Sequence, residues 1–99
     1  MGLKMIISQL SIAPLGEGTS VSKYVRIAVQ SIKNSGVRYK NNAMATVIET
    51  EDMDTLFEVV KNAHNAVVNA GAKRIITELK IDDRKDKNAT SEYKLKAIR

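Results

Sequence analysis

The first apolar pattern in the chain has a period of two. Over residues 4–12, Ile6, Ser8, Leu10 and Ile12 fall on one face of a strand, and Met5, Ile7, Gln9 and Ser11 on the other. Pro14, Gly16 and Gly18 then predict a loop. From Val21 the period lengthens: Val21, Tyr24, Val25, Ala28, Val29 and Ile32 form one helical stripe, with Lys23, Arg26, Gln30 and Lys33 outside it. Thr19 or Ser20 is suited to cap that helix, and Gly36 to close it in the left-handed conformation.

The second half repeats the alternation. Residues 37–40 predict a short strand, Asn41 and Asn42 a turn, and residues 43–50 the returning strand of a hairpin. Asp52 caps a second helix whose stripe is Leu56, Phe57, Val60, Ala63, His64, Val67 and Val68, ending at Gly71. Over residues 74–81, Ile75, Thr77, Leu79 and Ile81 oppose Arg74, Ile76, Glu78 and Lys80, which is a last strand. A polar connection and a short C-terminal helix over about 91–98 follow.

The order β-α-β-β-α-β, with right-handed crossovers and a central hairpin, predicts an α+β, ferredoxin-like fold. Its four-stranded antiparallel sheet carries both helices on one face, and the first strand lies between the third and the fourth. All of residues 1–99 form one domain on this reading, with residues 4–82 as the core fold and 83–99 as the connection and final helix. The sheet face bearing Ile7, Gln9, Ser11, Ile76 and Glu78 is left uncovered, which suits a second subunit or a ligand.

Composition narrows the function classes. Aromatic residues are only 4% of the chain, so the core rests on aliphatic side chains and Met. A domain this small gains stability by burying more apolar surface against a copy of itself. There is no cysteine, hence no disulfide framework or thiolate metal site. The N-terminal apolar run meets Ser8 and Gln9 too soon for a signal peptide, and no run reaches membrane-spanning length, so a cytoplasmic location is expected. The net charge of +5 is spread among carboxylates, and the densest segment, residues 80–87, mixes both signs.

Catalytic chemistry has no support in the pattern. The single histidine, His64, lies on the inner stripe of a helix, which suits packing better than proton transfer. Asp82, Asp83, Arg84 and Asp86 read as an ion-pair cluster rather than a metal site. The glycines at 16 and 18 precede a helix, yet they lack the lysine and spacing of a P-loop. RNA-recognition domains of this topology stack bases on aromatic residues of the central strands. Residues 4–12 and 43–50 contain none, so nucleic acid is not an expected partner.

Residues 5–16, 42–49, 63–66 and 79–86 together resemble the small thiamine-binding proteins related to YkoF. The Met44-x-Thr46-x-x-Glu49 strand and the segment Lys80-Ile81-Asp82-Asp83-Arg84-Lys85 carry the resemblance in the right order. It implies a ferredoxin-like domain, assembly through sheets into dimers and tetramers, and binding of thiamine or its hydroxymethylpyrimidine part. Position by position it implies that Ser11 and Thr46 contact the ligand, and that Glu49 faces the cationic thiazolium or accepts from the aminopyrimidine. Ser8, Gln9, Met44 and Glu78 complete the candidate binding set, since such a ligand needs hydroxyls or amides for its edge, apolar walls and a carboxylate. The chain departs from the family pattern at Ala45 and Thr50, where glycine is common, and a methyl at Ala45 narrows a pocket there.

The expected protein is therefore a non-catalytic, cytoplasmic homo-oligomer, a dimer of dimers, that binds thiamine or a related pyrimidine as ligand and needs no cofactor or metal. An oligomeric regulatory or scaffold domain, with the open sheet used only for subunit contact, is the alternative. A third reading is an enzyme acting on a small heterocycle through Glu49 or His64.

Overall fold

The structure is a computed structural model, which describes residues 5–18, 21–85 and 91–98. Its elements are β1 (Ile6–Pro14), α1 (Val21–Asn34), β2 (Arg38–Asn41), β3 (Thr46–Thr50), α2 (Met53–Asn69), β4 (Ile75–Asp83) and α3 (Ser91–Ala97). The strands form one antiparallel sheet in the order β2-β3-β1-β4, so the fold is the expected ferredoxin-like α+β arrangement.

Alternation decides which face meets the helices. Ile6, Ser8, Leu10 and Ile12 of β1 are buried beside Thr46, Ile48 and Thr50 of β3. Against them pack Tyr24, Ala28 and Ile32 of α1 and Leu56, Val59, Ala63 and Val67 of α2. The buried line of α2 is rotated from the predicted stripe, because Val59 is inside while Phe57 and Val68 are 51% and 45% exposed. A helix seated between a sheet and a second helix buries the i, i+3, i+7 line that faces both, and its flanking apolar positions stay at the rim.

Local chemistry closes the elements. Asp52 caps α2 by accepting a hydrogen bond from the Thr55 N–H at 2.6 Å. At the other end Gly71, at φ 107°, donates to the Val68 carbonyl, and Ala72 donates to Val67 across a buried apolar contact. That paired closure requires a left-handed residue, which glycine adopts without a Cβ penalty. The candidate caps Thr19 and Ser20 lie outside the described residues, as does Asp86. Of the acidic cluster near the end of β4, Asp82 pairs with Lys94 of α3 and Asp83 with Lys85.

Several boundaries differ from expectation, among them β3, which begins at Thr46 rather than 43, and β4, which runs to Asp83 rather than 81. Strand β1 runs through Pro14 rather than stopping at residue 12, because its pairing with β4 continues to Pro14 opposite Ile75. The hairpin turns at Ala43 and Met44, not at Asn41 and Asn42, because Asn41 still pairs with Thr46 and Asn42 donates to the Ala45 carbonyl at 2.8 Å. Register takes precedence over the Asn-Asn turn signal, since slipping β3 by one residue would turn Ile48 out of the core.

Candidate functional site

Strand β1 outlasts its neighbour. It pairs with β4 along its whole length, yet its ladder with β3 ends at Leu10 opposite Thr46. The Leu15 N–H donates to the Arg74 carbonyl at 2.8 Å, continuing the β4 register, so odd-numbered residues of β1 bond to β4 and even-numbered ones face β3. The hairpin gives the same parity: Asn42 bonds to Ala45, so odd residues on the β3 side bond to β2, and even ones to β1. The next even residue beyond Leu10 is Ile12. Its N–H and C=O point to the side where β3 has already turned away, and among the described residues no backbone bond from the hairpin meets them. Pro14 follows two residues later on that same side, where a missing N–H interrupts no ladder.

The gap is a cleft of about 560 Å³ between β1, α1 and the β2–β3 turn. Leu10 and Ile12 of β1 with Val25, Ala28, Val29 and Ile32 of α1 form apolar walls. Asn41, Asn42 and Thr46 supply polar groups from the hairpin, and Arg26, Gln30 and Lys33 line the helical side. The volume and the mix of apolar wall with few polar groups suit a small organic molecule. The Thr46 hydroxyl donates to Asn41 Oδ1 at 3.1 Å, which steadies Asn41 and leaves the hydroxyl oxygen able to accept.

The candidate binding residues separate into three places. Met44 and Thr46 line the cleft, Met44 at its exposed mouth, and Ala45 lines it too; Ser11 borders it from β1 but has the open-face parity of Gln9 and of its cross-strand partner Glu78. Gln9, Glu49 and Glu78 lie on the opposite, open face of the sheet, with Glu78 on the edge strand β4. Ser8 is in the core, donating to the Ile48 carbonyl at 3.3 Å. Glu49 is itself buried, and its carboxylate meets Arg38 Nε at 3.2 Å. His64 sits apart from the cleft, half-buried, with Nδ1 at 2.7 Å from the Thr77 hydroxyl. Among the described residues no cluster of three or more His, Asp or Glu is placed to hold a metal ion.

Sequence reasoning missed the helical wall of this site. Val25 and Val29 read as core and Arg26 and Lys33 as solvated surface, whereas Val25 is 40% exposed and all of them face the cleft. The signal was an apolar stripe wider than one sheet contact needs. Near the start of α1, the Tyr24 hydroxyl donates to Glu17 at 3.1 Å and ties the β1–α1 loop to the helix. Burial, and then the Glu17 carboxylate, push the Tyr24 phenol above its ordinary value.

The open sheet, the helical layer and the cleft at the free end of β1 define a ferredoxin-like α+β protein with a small-molecule-sized site beside its hairpin. The chain belongs to the thiamine-binding protein family, whose model matches residues 8–99. It is 45% identical over 96 residues to a UPF0045 protein of Methanothermobacter thermautotrophicus, covering 96% of this chain and 97% of that one. The crystal structure of a hypothetical protein from Methanocaldococcus jannaschii superposes with a TM-score of 0.87 at 45% identity, covering 97% of each chain. A Thermotoga maritima protein provisionally assigned to thiamine biosynthesis or salvage shares the fold, with a TM-score of 0.82 at 23% identity over 96% of this chain and 99% of that one. No helix among the described residues is long and apolar enough to cross a membrane.

Proposed function

We propose that this protein binds thiamine or its hydroxymethylpyrimidine half, without chemical turnover, in the cleft between β1, α1 and the β2–β3 hairpin. The observation that carries the reading is the backbone edge of Ile12, unpaired among the described residues, inside a cleft of about 560 Å³. An aminopyrimidine edge presents an amino donor next to a ring-nitrogen acceptor, which complements one residue's C=O and N–H. The aliphatic walls suit the flat ring, and the Thr46 hydroxyl and the Asn41 and Asn42 side chains are at hand for further polar contacts. Membership in the thiamine-binding family supports the ligand class.

Calorimetric titration with thiamine and with hydroxymethylpyrimidine tests the reading. Saturable binding of either compound, with the ligand recovered unchanged, supports it. Absence of heat for both overturns it and favours a regulatory or scaffold role.

The proposal extends to assembly. The open face carries Val47, Ile76 and the largely buried Ile7 among Gln9, Lys80 and the Arg38–Glu49 pair, a mixture suited to a second copy of the chain. In this reading Glu49 serves the subunit contact, not the ligand, because it lies across the sheet from the cleft.

A further inference from the structure

The charge of the cleft bears on which form of the ligand it takes. Arg26 and Lys33 are two helical turns apart on α1, flank Val29, and both line the cleft. Among the described residues that line it there is no Asp or Glu. Neither Arg26 nor Lys33 has a carboxylate partner among the described residues. A low-dielectric apolar wall beside two unneutralised cations raises the local positive potential. Such a site disfavours a fixed positive charge and favours an anion able to accept charge-assisted hydrogen bonds.

We infer that the cleft selects phosphorylated ligands: the phosphate monoester of the aminopyrimidine, or of thiamine, held at its phosphate by Arg26 and Lys33. This rests on the cleft reading above and specifies it. The pyrimidine edge meets Ile12 and the hairpin, and the phosphate projects to the helical side. In thiamine monophosphate the added charge offsets the thiazolium, which otherwise faces two cations with no carboxylate among the described lining residues.

The test is titration of the full chain with hydroxymethylpyrimidine, thiamine and their monophosphates, at low and moderate salt, together with Arg26→Gln and Lys33→Gln variants checked for unchanged thermal midpoint. A hydrogen bond to a charged group is strong enough that each monophosphate is expected to bind about tenfold or more tightly than its parent compound. That preference is expected to shrink with salt, and the ratio of monophosphate to parent affinity to fall toward one in the double variant. Equal or weaker binding of the monophosphates, with the parent compounds still bound, overturns the phosphate inference and leaves the cleft reading standing. A preference retained by the double variant overturns the assignment to Arg26 and Lys33. Absence of binding by all four compounds overturns both readings.

Discussion

Thr46 and Glu49 sit three positions apart on one strand, and their side chains lie on opposite faces of the sheet. Thr46 faces the helices and lines the cleft, while Glu49 faces the open side and meets Arg38. Thr46→Val is therefore expected to weaken ligand binding about 5- to 10-fold, the worth of one hydrogen bond. Glu49→Gln is expected to leave affinity within twofold; calorimetry on both variants checks the pair. Thr50 offers a test of stability instead. It is buried, and its hydroxyl has no hydrogen-bond partner among the described residues. Thr50→Val removes an unsatisfied polar group at nearly constant volume, and is expected to raise stability by about 1 kcal/mol in urea denaturation. The resemblance marked Thr50 as a departure, but only the packing reveals its orphaned hydroxyl.

At the scale of elements, the mismatch in strand length creates the site. Ile12→Pro removes an N–H that no strand among the described residues accepts, at a position of the same parity as Pro14. Comparison with Ile12→Ala separates the lost donor from the lost packing. The expected result is that Ile12→Pro binds ligand several-fold more weakly than Ile12→Ala, measured by the same titration. The α2 cap yields a pH dependence. The Thr55 N–H, by bonding to the Asp52 carboxylate, holds its pKa below the ordinary 3.8. The contribution is complete above the unfolded value and is lost as pH falls through the folded one. Asp52→Ala is thus expected to lower the thermal midpoint by roughly 5 °C at neutral pH. That difference should narrow as pH falls below the ordinary carboxylate range and the Asp52 carboxylate is protonated.

For the whole molecule, α1 and α2 pack on one sheet face, and among the described residues only α3 reaches the other, through Lys94 and Asp82. Ile76 on that face is 42% exposed. A dimer formed through the face would bury it, so Ile76→Glu would place a charge in an apolar contact. The expected outcome is a drop in solution mass toward the monomer, by light scattering, with the secondary structure intact. An unchanged mass would move the subunit contact elsewhere. The basic wall of the cleft belongs to the helical layer, on the other side of the sheet, so assembly and ligand choice are separable by mutation.

Period and punctuation were enough to determine the order of the elements, the identity of the inward face of β1, the Asp52 cap and the glycine closures. Each depends on residues close together in the chain, where backbone geometry leaves few alternatives. The strand order also followed, because right-handed crossovers and a hairpin admit few topologies. Other features were decided in three dimensions. The turn moved to Ala43 and Met44 because a ladder register is a contract between distant strands, and β1 passed through Pro14 because the unpaired side happened to receive it. Of the candidate binding residues, Met44 and Thr46 were brought together at a cleft that Ser11 borders, whereas Gln9, Glu49 and Glu78 went to the far face, whose parity Ser11 shares, and Ser8 to the core. A sequence records which residue types alternate, but a cleft exists only where one strand outlasts its partner and a helix passes beside the gap.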